Sequence, residues 1–338
     1  MKQILFSLSL VWVLMSCGTS NKVVTLDDVF SQQYEQKMIS SGQNFPDFYA
    51  ENDSLNLFLI ALHERIPVKK FQKRVGWSSA ELNTHIEFLK SKDWLAPGDS
   101  LRPSIFIAGS DDGKALYSHS TPISLEISRA IEDELYKIKK QYQKTKLSKS
   151  QSFETMAFFI LSDVLLDNWQ INAVEKEFLK AETRPERHQN YYYYAIMEHV
   201  QAPREAFGIY GNQYRSLNDS TTLSIYGNNR TVANTKLKNE PQFLEDILKT
   251  APRLSAENQQ EMGDIAALFK PVLLDILEKH RNYIRHVYQV SGYAKEISFE
   301  EFFIWWYHFI YTETTNMLAE NGTLTVPEDG NFYYIGMH

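Results

Sequence analysis

The sequence predicts a mainly helical α+β protein carrying small β-hairpins. Three observations lead there. Apolar residues recur at helical spacing through much of the chain, as in Leu55, Phe58, Leu59 and Leu62. Short runs rich in β-formers, bounded by turn residues, interrupt the helical stretches. Finally, 20 Phe, 19 Tyr and 6 Trp in 338 residues supply enough large apolar side chains to core more than one unit.

The first sixteen residues stand apart from that pattern. Met1-Lys2-Gln3 is a short cationic start, and Ile4 to Leu14 is mostly apolar. Such a stretch is too short for a permanent membrane span, which needs roughly 20 apolar residues. Leu14-Met15-Ser16-Cys17 follows at once. This segment resembles the lipobox of bacterial lipoproteins: Leu, a variable residue, a small residue, then Cys. Met15 departs from the Ala, Ser, Thr or Val more usual there. The resemblance implies that residues 1–16 are a signal peptide removed by a signal peptidase. It also implies diacylation of Cys17 on sulfur and acylation of its new amino group, so Cys17 is the expected lipidation site. Several acyl chains anchor a protein stably, because each buried CH₂ contributes about 0.8 kcal/mol.

Cys17 is the only cysteine, so an internal disulfide is impossible, and an acylated sulfur offers no thiol nucleophile. Gly18, not Asp, follows it, which implies an outer-membrane protein facing the periplasm. Acidic residues begin only at Asp27 and Asp28, so exposure at the cell surface is the second option. Residues 17–27 read as a lipidated tether.

Charge then narrows the partners. The chain carries 35 Lys and Arg against 42 Asp and Glu, a net charge of −7, and loss of Lys2 with the leader makes it −8. That balance gives no global attraction to nucleic acid or to an anionic membrane surface.

Within residues 28–147 the sequence predicts a short helical stretch before Pro46, then three helices. The first carries Leu55, Phe58, Leu59 and Leu62; Pro67 breaks it, and Val68 to Val75 makes the second, ended by Gly76. Ser78-Ser79-Ala80-Glu81 is a capping box that starts the third, with Leu82, Ile86 and Leu89 on one face. Leu101 to Ala108 reads as a strand, Ser110-Asp111-Asp112-Gly113 as a turn, and Lys114 to Tyr117 as a returning strand. Three short helices and a hairpin resemble a winged-helix domain over residues 52–120. That family often binds DNA through its third helix, but here that helix offers Glu81, His85, Glu87 and Lys90, and no basic reading face emerges. Behind an export signal, a structural or protein-contact role is the expectation. A trailing helix from Pro122 carries Ile127, Ile131, Leu135 and Ile138, and Lys144 to Ser150 reads as a polar linker, with the domain boundary at 147/148.

Residues 148–338 read as a mainly helical, aromatic-rich domain with β-hairpins. Phe153 to Lys180 is helical, and Asp163 and Asp167 exclude a membrane span there. Arg187 to Val200 reads as a helix on which Tyr191, Tyr192, Tyr193 and Tyr194 point all around. Residues 256–290 give one or two helices with Pro271 as start or kink, and Phe299 to Asn321 gives the last. Leu324 to Val326 and Phe332 to Ile335, joined through Pro327-Glu328-Asp329-Gly330, read as a terminal hairpin. Another hairpin is expected where Ile209-Tyr210-Gly211-Asn212-Gln213-Tyr214-Arg215 is echoed by Ile225-Tyr226-Gly227-Asn228-Asn229-Arg230.

Chemistry is sparse at this level. Glu198-His199, with His188 eleven residues earlier, is the nearest approach to an acid–base cluster. No nucleophile elbow, phosphate loop or cofactor motif is present, and His280 and His286, six apart, lie on different helix faces, so neither a metal site nor a cofactor is expected. Tyr210, Asn212, Arg215, Tyr226, Asn228 and Arg230 are candidates to hydrogen-bond and stack on a sugar or peptide. Asp53-Ser54-Leu55, Asp99-Ser100-Leu101 and Asp219-Ser220-Thr221 resemble the acceptor motif of a bacterial O-glycosylation system, which makes Ser54, Ser100 and Ser220 candidate modification sites. The resulting expectation is a lipid-anchored, non-catalytic envelope protein that binds or assembles an envelope protein or glycan. The alternatives are a lipid-anchored hydrolase of envelope glycan or peptide, and a glycan-capture protein.

Overall fold

The computed structural model describes residues 23–42, 44–48, 53–98 and 100–337. The leader, the lipobox and Cys17 lie outside them. The chain is of α+β type, as composition and periodicity predict.

It begins with α1 (Leu26–Ser31), capped by Thr25, and β1 (Tyr34–Ser40). The three expected helices follow: α2 (Asp53–His63), α3 (Val68–Val75) and α4 (Ser79–Ser91). The Ser78 capping box forms as read, with Ser78 N donating to Glu81 at 2.7 Å. Gly76 takes the left-handed conformation that closes α3 (φ 77°). Next comes β2 (Phe106–Ala108), shorter than the strand expected over 101–108.

The expected wing is absent. Lys114 to Tyr117 is helical, part of α5 (Ser110–Tyr142), a single helix that runs through Pro122. The Ser-Asp-Asp-Gly sequence is its first turn and no hairpin bend. Gly109 N donates to Asp112 at 2.9 Å, and Asp111 and Asp112 lie at the positive end of the helix dipole. The same four residues suit a turn or a helix start, and the downstream apolar stripe decides for the helix.

Residues 144–150 form a tight turn that buries Leu147. α6 (Phe153–Phe158) continues into a π-helical stretch over Phe159–Val164; α7 (Ile171–Ala173) continues into another over Val174–Leu179. β3 (Glu186–Arg187) and β4 (Asn190–Glu198) occupy the region expected to be helical. Then come β5 (Gly211–Asn218) and β6 (Thr221–Gly227), the expected hairpin. α8 (Arg230–Asn239), α9 (Pro241–Thr250), β7 (Arg253–Leu254), α10 (Ala256–Lys279, with Pro271 inside), α11 (Arg281–Val290), α12 (Phe299–Glu320) and β8 (Asn331–Met337) complete the order. The expected terminal hairpin is not formed. Residues 324–326 wrap the end of α12, where Leu324 N donates to Leu318 O, and β8 pairs instead with β6 and β7.

β4 explains much of the architecture. It is the central strand of the order β1-β4-β2, antiparallel to β1 and parallel to β2. Its near-continuous apolar run suits a strand buried on both faces, because side chains alternate. Tyr193, Ala195 and Met197 enter one core with Phe106 and Ala108, whereas Tyr192, Tyr194 and Ile196 enter another with Ile105 and Ile107. A helix would have had to bury its whole circumference there, and Tyr is a good strand former. The second core is filled by α2, α3 and α4. The first, larger core extends from Phe106 to Tyr334, so packing and sheet alike run across the expected boundary at 147/148.

α12 forms the axis of the larger core, with Phe302, Phe303, Trp305, Trp306 and Tyr307 buried around it. α5 lies close along it, because Ser120, Ser124 and Ser128 leave room. Trp306 Nε1 donates to Leu116 O at 3.0 Å, and Ser124 Oγ to Ile310 O at 2.9 Å. Arg187, buried, ties the β3–β4 corner to α12 through Glu301 at 2.5 Å. Among the described residues, no helix is long and apolar enough to cross a membrane.

Candidate functional site

Four chain segments meet at the end of α2. A reverse turn ends that helix: Arg65 N donates to Leu62 O, Ile66 N donates to Ala61 O, and Arg65 takes φ 59°. His63, Glu64 and Arg65 are thereby presented together. The first turn of α5 adds Asp112, the end of β4 adds Glu198, and the turn after α11 adds Glu296.

Buried His63 bridges two of these carboxylates. Its Nδ1 lies 2.7 Å from Glu296 Oε2 and its Nε2 lies 3.4 Å from Asp112 Oδ2. Burial alone would lower the pKa of His63, but hydrogen bonding to Asp112 and Glu296 overcomes it and pushes the value up to about 10. Glu296 Oε1 also faces Arg65 Nη1 at 2.6 Å. Glu198 Oε2 accepts from Ser110 N at 2.6 Å, at the N-terminus of α5. Glu64 is half-buried and, among the described residues, receives no hydrogen bond. Burial raises its pKa, His63 lowers it, and the charges of Asp112 and Glu198 raise it further. The Tyr34 phenol is likewise held well above its ordinary value by burial and by Glu198 and Glu64.

His63, Glu64, Arg65 and Asp112 form the polar end of a cleft of about 400 Å³. The opposite wall is apolar, built from Leu116, Val287, Val290 and Phe302. The Tyr293 ring lies beside His63, tilted by 35°, with ring centroids 5.4 Å apart. His119 sits at the rim, its Nδ1 2.9 Å from the Tyr283 hydroxyl, and burial lowers its pKa. Ligating atoms of His63, Glu64 and Asp112 all lie within 4.8 Å of one another.

The structure divides the acid–base trio expected from sequence. Glu198 belongs to the cluster. His199 points elsewhere, its Nε2 2.5 Å from Arg204 O. His188 pairs with Asp47 at 3.5 Å, at the far end of β4, roughly 27 Å away at 3.4 Å per residue. The six candidate ligand-binding residues of β5, β6 and their flanks do not form an open platform. Tyr210, Tyr226, Asn228 and Arg230 are buried. Arg230 donates to Gly211 O at 2.9 Å and pairs with Glu205 at 3.2 Å; Asn228 donates to Gly208 O at 3.2 Å. Asn212 donates to Asp163 at 2.7 Å and to Asp167 at 3.2 Å, and Arg215 to Leu237 O at 3.4 Å. Of the candidate modification sites, Ser54 is half-buried in the first turn of α2, whereas Ser100 and Ser220 are exposed, Ser220 in the β5–β6 turn.

The one sequence signal for the cluster is the contiguous His63-Glu64 at a helix end. Asp112 and Glu296 are 49 and 233 residues from His63, and only the fold unites them. No protein-family model, curated protein or solved structure matches this chain.

Proposed function

We propose that the chain is a lipid-anchored protein of the bacterial cell envelope, held at Cys17, that binds a small ligand in the His63 cleft. The observation that carries the binding assignment is the cleft itself. Ligand sites are typically concavities of about 300–1,000 Å³ with apolar walls and a few convergent polar groups, and this one has both. The anchor rests on the lipobox-like Leu14-Met15-Ser16-Cys17. In this reading α2, α3 and α4 act as a winged-helix-like module without its wing. The module carries His63 and Glu64 into the cleft and offers no basic face to nucleic acid. A lipid-anchored hydrolase is the second reading, supported by the grouping of an imidazole with carboxylates in a cleft. Glycan capture has less support, since the residues first suggested for it are mostly internal.

Both parts are testable. Cys17→Ser is expected to leave the protein unprocessed or release it from the membrane fraction; unchanged processing and membrane association would refute the anchor. For the cleft, the full-length protein is purified from envelopes in detergent and weighed under native and denaturing conditions. The native mass is expected to exceed the denatured one by a single organic ligand, and Ala115→Trp, an exposed position lining the cleft, is expected to abolish the excess. Equal masses for the unaltered protein would overturn the assignment.

A further inference from the structure

We infer that His63, Glu64 and Asp112 bind one divalent cation of the zinc or manganese class at the polar end of the cleft. The inference rests on reading the cleft as a ligand site and specifies what its polar wall holds. One imidazole nitrogen and two carboxylate oxygens form a mixed donor set suited to such ions. Their present separation, up to 4.8 Å, exceeds the ~3.4 Å spacing of a tetrahedral site with ~2.1 Å bonds, so side-chain rotation of about 1 Å closes it.

Three further observations point the same way. First, the Nδ1–H of His63 is engaged by Glu296 at 2.7 Å, the carboxylate–histidine arrangement that orients a metal-binding imidazole. Nε2 then faces Asp112 at 3.4 Å, longer than a well-formed hydrogen bond, and a cation bound there would take the place of the Nε2 proton. Second, the charge is unbalanced. Glu64, Asp112, Glu198 and Glu296 meet only the Arg65 guanidinium and the His63 imidazole, so even with His63 protonated the four carboxylates outnumber the cations by two. Backbone N–H groups of Gly109 and Ser110 support Asp112 and Glu198, which leaves Glu64 without a donor. Third, Gly109 keeps the centre open. Its backbone (φ −81°, ψ 177°) would suit any residue, so conformation does not demand glycine there. A Cβ at that position would stand 3.1 Å from Glu64 Oε1, 3.6 Å from Asp112 Oδ2 and 3.7 Å from Glu198 Oε2. The space that glycine leaves is ringed by carboxylate oxygens. Three protein ligands also leave a coordination position facing the cleft, where a water or an organic ligand can bind.

The test uses the full-length, detergent-solubilised protein after chelator stripping, titrated separately with Zn²⁺ and Mn²⁺. One saturable equivalent of at least one ion is expected by calorimetry and by metal content after gel filtration. Glu64→Gln and Gly109→Ala are each expected to weaken it at least tenfold, whereas His188→Gln and His199→Gln leave it unchanged. The Glu64 carboxylate receives no hydrogen bond among the described residues, so its variant is expected to keep the parental melting temperature and serves as the readout if Gly109→Ala perturbs folding. Absence of a saturable equivalent, or one undiminished in Glu64→Gln at parental stability, overturns the site. An organic adduct that persists in the stripped protein without a metal equivalent leaves the cleft standing and removes the metal. A metal equivalent without any organic adduct does the reverse.

Discussion

At the residue scale, the largest electrostatic tension lies away from the cleft, in Asp163 and Asp167. Both carboxyls are buried beneath Tyr226, Tyr307 and Tyr311 and share the side-chain amide of Asn212. Burial raises both pKa values, that of Asp167 to about 6, and mutual repulsion raises Asp163 further. The direction of the linkage follows. A carboxyl whose folded pKa exceeds its unfolded value stabilises the fold fully below about pH 4, and that stability is lost as pH rises through the folded value. At about 1.4 kcal/mol per unit, the Asp167 shift amounts to roughly 3 kcal/mol lost between pH 4 and pH 6 or just above, with Asp163 adding to it at higher pH. Asp167→Asn is therefore expected to raise the melting temperature at pH 8 and leave it nearly unchanged at pH 4. Thermal melts across that range would show it, and a variant less stable at pH 8 would contradict this account. The buried pair also explains why residues such as Asn212 and Tyr226, suggestive of ligand binding in sequence, are internal: they satisfy and enclose these acids.

At the element scale, α5 shows how a local rule yields to packing. Replacing a helix-interior glycine by alanine ordinarily gains up to about 1 kcal/mol. Gly113 is the exception, because a Cβ there would overlap the Phe207 ring. Gly113→Ala is expected to destabilise the protein by about 1–3 kcal/mol in urea unfolding. Phe207→Leu in the same chain should recover part of that loss. A stabilised single variant would show that Phe207 can simply move. Much of the element order was legible, because capping boxes, prolines and apolar stripes are local: α2, α3, α4 and the β5–β6 hairpin formed where the sequence placed them. β4 was not legible as a strand, since a strand buried on both faces lacks the alternation that distinguishes it from a buried helix, and without β4 its partner β1 had nothing to pair with.

At the scale of the whole molecule, the expected division at 147/148 meets a sheet and a core that span it. β4, from the second segment, is the only described link between β1 and β2 of the first. Residues 23–147 expressed alone are thus expected to lack a cooperative thermal transition, while the full chain melts in one step. A fragment with a sharp, native-like transition would establish residues 28–147 as an independent domain.

The sequence by itself determined the α+β class, the positions of most helices, the lipobox-like leader with its single cysteine, and the net charge of −7. Each of these is written in neighbouring residues or in composition. Only the tertiary structure decided which way Ser110 to Gly113 folds, where Tyr191 to Tyr194 point, and what surrounds His63. Of the charged residues now grouped at the end of α2, Glu198 alone was expected to take part in a site, and with other neighbours. Asp112 and Glu296 reach His63 because the fold brings the start of α5 and the turn after α11 to the end of α2, across separations of 49 and 233 residues. Spacing along a chain carries no record of such contacts, because they arise only when distant segments are packed together in the folded molecule.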